Sequence, residues 1–258
     1  MKYWTSCQNL SDSFQLVENK LGARYIKTKD GDLAMVIKNA GYIPRSGLFI
    51  AETIDKCCIV NGKSVLDIGT GEIGFLAHFA LFKGANRVVG SDLDMGAIQH
   101  ACQAETSSKK IEWAVSDVYD NITPERFDFI ISNPPQMPSL NINSLHDYGG
   151  LDGREIILKI LYGAGNYLSM SGRIIILCFD FLGIDRRTND HPSIQEIGNI
   201  LGYKFKILRR EVREVRKGGE TEKNIGWIEK IYPRYKFIKN NCDNSIHNLL
   251  VIELQKRR

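Results

Sequence analysis

The residues best suited to chemistry in this 258-residue chain stand at the ends of four successive apolar runs. The first, Val65-Leu66-Asp67-Ile68, enters Gly69-Thr70-Gly71-Glu72-Ile73-Gly74, and Phe75 to Ala80 follow with the periodicity of a helix that has a buried face. The pattern predicts a strand feeding a helix through a glycine-rich elbow. Gly69 and Gly71 can take dihedrals closed to other residues and put no Cβ in a ligand's way, and the helix N-terminus after Gly71 is expected to offer free N–H groups. Asp67, two residues before the first glycine, places a carboxylate where an ammonium is favoured and a pyrophosphate repelled. The second run, Arg87 to Ser91, ends at Asp92-Leu93, where a carboxylate can accept both hydroxyls of a ribose. The third, Ile111 to Val115, ends at Ser116-Asp117 and brings a further acid beside the base of such a nucleotide.

The fourth run, Phe127 to Ser132, leads into Asn133-Pro134-Pro135-Gln136. Two prolines fix the backbone and remove two N–H donors, which leaves carbonyls to point into a site, and the Asn133 side-chain oxygen adds another acceptor. A planar NH₂ group held at both hydrogens by such acceptors has its lone pair aimed outward, ready to attack an electrophile.

On these residues the chain resembles the class I S-adenosylmethionine-dependent methyltransferases, in the amino-methylating branch with an Asn-Pro-Pro-aromatic loop. The resemblance spans residues 42 to 182 and continues more weakly to the C-terminus. It implies S-adenosylmethionine as cofactor, where the glycines alone leave a dinucleotide open. It further implies a cofactor set of Asp67, Gly69, Thr70, Gly71, Gly74, Asp92, Leu93, Ser116, Asp117 and Asn133, and a catalytic set of Asn133, Pro134, Pro135 and Gln136. Because a sulfonium is an activated leaving group, the work left to the protein is alignment and desolvation of acceptor and methyl. Gln136 departs from the family pattern, which carries a ring there; a stacking ring contributes about 1–3 kcal/mol per base. Its absence points away from adenine and toward an amide, guanidino or amino nitrogen of a small molecule or protein side chain. Two alternatives stay open: an adenine amino group in RNA or DNA, and a catalytically inactive subunit that binds cofactor for a partner.

The expected architecture is α/β, a Rossmann-like, seven-stranded, mostly parallel sheet with helices on both faces. Residues 1–45 form a lead of helix and hairpin, the helix over residues 2 to 22 and the hairpin from Tyr25–Lys29 and Leu33–Ile37 about Asp30-Gly31. Residues 46–258 form the methyltransferase domain, with an insertion over 216–244 whose Lys217-Gly218-Gly219-Glu220 reads as a flexible loop and whose Trp227, Tyr232, Tyr235 and Phe237 read as a satellite cluster or a cover for the acceptor. The stretch of about 60 residues ahead of the core is expected to be too short for the separate helical domain of release-factor methyltransferases, yet Gly149-Gly150-Leu151-Asp152-Gly153 resembles their Gly-Gly-x-Asp-Gly loop. That adds Gly150 and Asp152 to the candidate acceptor residues, as the Pro44-Arg45 stretch adds Tyr42 and Arg45, and Asp152 also suits the N-cap of a helix from Arg154 to Leu168. Helices are further expected at Gly47–Cys58 and at Pro192–Leu201, opened by Asp190-His191-Pro192, with strands at Arg173–Phe179, Tyr203–Val215 and Ile246–Leu254.

Composition describes an ordinary globular chain, 43% hydrophobic and 25% charged. No run is long enough to span a membrane or to form a signal peptide, and six cysteines without a Cys-x-x-Cys pair give no structural metal site and suit a cytoplasmic location. Residues 200–258 hold fifteen Lys or Arg against seven Asp or Glu, although the whole chain is only +4. This basic region is the one feature that favours a nucleic-acid partner over a small-molecule or protein acceptor.

Overall fold

The computed structural model describes residues 4–21, 24–29, 34–37, 45–103, 111–142, 144, 146–188 and 191–257. They form two units that divide after Ile122.

The first unit opens with β1 (Trp4–Asn9), β2 (Phe14–Asn19), β3 (Arg24–Thr28) and β4 (Ala34–Ile37), which pair in that order as an antiparallel sheet. The helix expected over residues 2–22 is therefore replaced by two strands. Phe14 and Leu16 recur at the strand period of two and lie beside Thr28 and Ile26 of β3, all four buried. Leu21, which the helical reading needs on its apolar face, is 92% exposed. The β3–β4 hairpin forms as expected, while its Asp30-Gly31 turn and Tyr42 lie outside the described residues.

Next come α1 (Arg45–Cys57), β5 (Ser64–Ile68), α2 (Phe75–Phe82), β6 (Arg87–Asp92), α3 (Met95–Gln103) and β7 (Glu112–Val115). Strands β5, β6 and β7 run parallel, and Val65, Leu66, Val88 and Val89 in them are buried, as a sheet covered on both faces requires. Phe14 fastens the antiparallel sheet to this layer, its ring 5.7 and 5.8 Å from those of Phe75 and Phe79, while the Ser13 N–H donates to Glu52 Oε1 at 3.1 Å.

The second unit comprises β8 (Phe127–Ser132), α4 (Glu155–Gly163), β9 (Leu168–Phe179), α5 (Ile194–Ile200), β10 (Tyr203–Glu214), α6 (Glu220–Ile231), β11 (Ile238–Lys239) and β12 (Ser245–Lys256). Strand β9 is parallel to β8; β12 is antiparallel to β9 and β10 to β12, so the chain closes on two reversed strands. The two units thus hold the long strands of a mostly parallel α/β fold, three in the first and four in the second.

Three boundaries differ from expectation. Helix α5 is opened by a reciprocal capping box, Ser193 Oγ accepting from Glu196 N–H and Glu196 Oε2 accepting from Ser193 N–H, rather than by Asp190-His191-Pro192. Helix α4 starts at Glu155, and Asp152 is not its N-cap; its Oδ1 instead accepts the Arg154 N–H at 3.0 Å, an Asx turn just before the helix. Finally, Lys217 to Gly219 form an ordered turn into α6, with Gly218 at φ 70° and its N–H donating to Glu222 Oε2.

Phe14 is the ring on which sheet and helix meet in the first unit. Phe14→Ala is expected to cost about 3–4 kcal/mol, read as a lower urea midpoint with cofactor affinity little changed once the chain is folded.

Candidate active site

In the first unit the glycine elbow is tied to β6. The N–H groups of Gly69 and Thr70 both donate to the Ser91 carbonyl, at 2.8 and 2.9 Å, and the Gly71 N–H donates to Asp92 Oδ2 at 2.9 Å. Of the amides expected to be free after Gly71, that of Gly74 donates to the Gly71 carbonyl at 3.1 Å. What the elbow offers instead is space: Gly69 and Gly71 take φ of 73° and 68°, and a Cβ at either would meet nothing within 4 Å. Gly74 is different in kind. Its absent Cβ would lie 2.5 Å from the Trp113 ring, and that of Gly90 2.4 Å from it, so the third glycine serves close packing between helix and sheet rather than ligand approach.

Asp67 is fully buried on β5. Its Oδ2 accepts from Thr70 Oγ at 2.6 Å and from the Ala77 N–H at 3.1 Å, while Oδ1 is buried without a partner. Burial pushes its pKa up to about 7 against the pull of both hydrogen bonds. Thr70 therefore orients Asp67 rather than standing apart from it. Asp92 is held by backbone on both sides, Oδ2 by Gly71 and Oδ1 by the Asp94 N–H at 3.0 Å, and each oxygen keeps a lone pair for a hydroxyl. Leu93, next in the chain, is 61% exposed and leaves an apolar surface beside Asp92. Ser116 is buried and spends its hydroxyl on the Val118 carbonyl and the Asn121 N–H; Val118 turns the chain at φ 53°. Half-buried Asp117 lies in that turn. The open space above Gly69 and Gly71, the partnerless Asp67 oxygen and the positioned Asp92 carboxylate together fit S-adenosylmethionine.

In the second unit the loop after β8 is built around Gln136. This side chain is turned inward and buried, with Nε2 donating to the Leu177 carbonyl at 3.0 Å and to the Pro134 carbonyl at 3.2 Å, and Oε1 accepting the Phe179 N–H at 2.7 Å. It therefore positions the loop against the end of β9 and presents no group outward. Asn133 is half-buried, and its side-chain amide forms no hydrogen bond among the described residues. Pro134 and Pro135 follow as the rigid link between the free amide and the pinned one.

The Gly149–Gly153 loop packs directly on this pin. Met137 N–H donates to the Asp147 carbonyl and Gly149 N–H to the Met137 carbonyl. A Cβ at Gly149 would sit 2.4 Å from Gln136 Cα, and one at Gly153 2.6 Å from the Gln136 carbonyl, so only glycine permits the approach. Gly150, at φ 93°, is buried and Asp152 half-buried, both within the second unit, whereas Arg45 is the exposed first residue of α1 in the first unit.

Residues outside the predicted catalytic and cofactor sets complete the arrangement. Arg154 is buried with Nη2 on the Pro192 carbonyl at 2.9 Å. The Trp227 Nε1–H and the Tyr232 hydroxyl donate to the Leu151 and Asp152 carbonyls. Burial holds the Tyr232 phenol far above its usual range, so it remains a donor. Asp180 accepts from Tyr235 and Asn248 in a cluster with Phe179, Phe181 and Phe237. The expected aromatic cluster thus divides, Tyr235 and Phe237 joining Phe181, Trp227 and Tyr232 joining the loop. Only the aromatic spacing of residues 227–237 signalled any of this in the sequence.

Comparison with known proteins bears on the whole arrangement. Residues 40–209 match the family described as the methyltransferase small domain. A protein of Methanocaldococcus jannaschii assigned as a protein N5-glutamine methyltransferase is 35% identical over 158 residues, 58% of this chain and 76% of that protein. The ribosomal protein uL3 glutamine methyltransferase of Francisella tularensis is 29% identical over 127 residues, and there the match covers 40% of the relative's length. Among solved structures, a ribosomal protein L11 methylase from Lactobacillus delbrueckii superposes with a TM-score of 0.53 at 16% identity over 98% of this chain and 99% of its own. The T. thermophilus 16S rRNA N2 G1207 methyltransferase, solved with AdoMet and guanosine, gives 0.52 at 20% identity over 96% of this chain and 52% of its own. Such identities speak for the fold.

Two outcomes are expected from this geometry. Asp67 keeps its proton to about pH 7, while the unfolded chain releases it near 3.9; the unfolded state thus binds fewer protons in this window, and stability falls as pH rises from about 4 to about 7. Urea titrations across that range should show a loss on the order of 2–4 kcal/mol that Asp67→Asn flattens. Gln136→Met keeps the volume but orphans the Phe179 N–H, and should lower turnover at least tenfold with cofactor affinity unchanged in equilibrium binding.

Proposed function

The chain belongs to the methyltransferase small domain family and uses S-adenosylmethionine, and from that premise we propose that it methylates the side-chain amide nitrogen of a glutamine in a protein. The observation that carries this reading is the unengaged Asn133 amide in a loop whose fourth residue, Gln136, is spent on holding the loop and supplies no ring for a base. The archaeal relative, aligned over three quarters of its length, is named for that acceptor and supports the reading.

The cofactor would lie on Gly69 and Gly71, with Asp92 toward its ribose, Leu93 toward its adenine and Asp67 toward its ammonium; when bound it supplies a methyl group on an activated sulfonium. The chain's own contribution is alignment. Asn133 Oδ1 and the Pro134 carbonyl accept the two N–H groups of the acceptor amide, which aims the nitrogen lone pair and favours the positive charge that grows on it. The nitrogen so aimed would take that methyl as its bond to sulfur breaks, the electron pair staying on sulfur, and would then release its extra proton to solvent. Gln136 fixes the Pro134 carbonyl while this happens. A cytoplasmic setting suits the six cysteines, all free thiols; no helix among the described residues is long and apolar enough to cross a membrane.

One observation favours an adenine acceptor in nucleic acid. Lys204, Lys206, Arg209 and Arg213 pair with Gln255, Glu253, Val251 and His247 of β12 and so share one face of β10, four cations interrupted by Glu211, which lies on the same face and is ion-paired to Arg213.

Labelled S-adenosylmethionine incubated with a fractionated cell extract separates the readings. Label should enter protein, release N-methylglutamine-containing peptides on digestion, and fall about 100-fold or more with Asn133→Ala while cofactor affinity is retained. Label in nucleic acid would transfer the role to this face of β10; label in small molecules would exclude glutamine; cofactor binding without transfer would favour the inactive-subunit reading.

A further inference from the structure

Helix α6 follows β10 in the chain, ahead of β11 and β12, and nothing in the glycine elbow or the Asn-Pro-Pro loop calls for it. Yet it makes two hydrogen bonds to consecutive backbone carbonyls of one loop. Trp227 Nε1–H donates to the Leu151 carbonyl at 2.8 Å and the Tyr232 hydroxyl to the Asp152 carbonyl, across 76 and 80 residues of sequence. Both donors are rigid. Tyr232 is 1% exposed, and Trp227 lies under the Lys230 ammonium, 5.3 Å from its ring centroid.

The carbonyls they hold belong to the Gly149–Gly153 loop, and that loop leads without a gap to the acceptor cradle. Asp152 Oδ1 fixes the Arg154 N–H, and the Glu155 N–H donates to the Gly149 carbonyl. Gly153 lies so close to the Gln136 carbonyl that a single Cβ would not fit. Gln136 in turn holds the Pro134 carbonyl and the Phe179 N–H. Every contact in this series lies inside the second unit.

We propose that α6 sets the acceptor cradle: Trp227 and Tyr232 are positioning residues that act on Asn133 and Pro134 through the Gly149–Gly153 loop and Gln136. The segment between the last two long strands then determines how the acceptor nitrogen is presented. This rests on Asn133 and Pro134 being the acceptor cradle, but not on which molecule carries the nitrogen.

Tyr232→Phe deletes one donor and keeps the ring, and Trp227→Phe deletes the other and keeps a smaller aromatic ring at that position. Hydrogen exchange on the full-length protein is the first readout, with Glu229→Gln on the same helix as control. Faster exchange at Met137, Gly149, Glu155 and Phe179, in both variants and not in the control, is the expected result. In the labelled-donor assay with the protein fraction of the extract, each variant should lose about three- to tenfold in kcat/KM for the acceptor, with the equilibrium affinity for S-adenosylmethionine unchanged. Changed exchange confined to α6, with Met137 and Phe179 as in the parent, would overturn the proposal, as would an equal loss of cofactor affinity. Because exchange needs no acceptor, a wrong assignment of the glutamine would appear as label in another fraction while the exchange result still stood.

Discussion

A single buried primary amide holds the loop after β8 against the end of β9. Gln136 has two N–H donors and spends both, on Leu177 and Pro134, while its oxygen takes the Phe179 N–H. Burying an amide without partners costs roughly 2–7 kcal/mol, so a loop that swung away from β9 would leave this group and the Phe179 N–H exposed to that cost together. Two prolines precede it and have no N–H of their own to satisfy. The outcome is a stiff arch with one end anchored in the sheet and the other carrying an unengaged Asn133 amide. The glycines at 149 and 153 follow from the same constraint, since backbone must lie directly on Gln136 for the second loop to seal it.

The first unit solves a different electrostatic problem with similar economy. A cofactor bearing a positive sulfonium and an ammonium calls for acids, but an ionised carboxylate inside a sheet is costly to desolvate. Asp67 avoids that cost by staying protonated to about pH 7, and its partnerless Oδ1 is left where a nearby cation would favour loss of the proton. Asp92 remains only partly buried and has its direction set by two backbone N–H groups. Turning the elbow amides toward Ser91 and Asp92 sets the shape of the elbow before any ligand arrives, and the two left-handed glycines leave the space a ligand would need.

What the sequence made legible follows from how local each signal is. The elbow, the acids at strand ends and the Asn-Pro-Pro loop all sit at the carboxyl ends of strands with strong apolar runs, and each strand stands where its run predicts. The N-terminal lead misled because Phe14, Leu16, Val17 and Leu21 satisfy a loose helical spacing, and only the pairing partners Ile26 and Thr28 reveal that the working period is two. Gln136 was visible as a departure from an aromatic, but its partner Leu177 is 41 residues away and could not be read from spacing. Gly74 belongs to the same class of miss: its reason is the Trp113 ring, a contact that the glycine pattern itself does not encode.

Methyl transfer from a sulfonium asks for little proton chemistry and much alignment, and that demand explains where the structure spends its buried polar groups. None of the three Gln136 hydrogen bonds meets an acceptor, and neither do those of Trp227, Tyr232 or Asp152; each instead removes a degree of freedom from backbone next to Asn133 and Pro134. A reaction limited by orientation is sensitive to shifts of about 1 Å at such positions, so contacts well outside the cradle carry weight that their individual hydrogen-bond energies would not suggest. It also follows that the cradle can keep Asn-Pro-Pro unchanged while its geometry is altered through whatever packs on the Gly149–Gly153 loop. In this chain α6 packs there, through the Trp227 and Tyr232 hydrogen bonds to the Leu151 and Asp152 carbonyls.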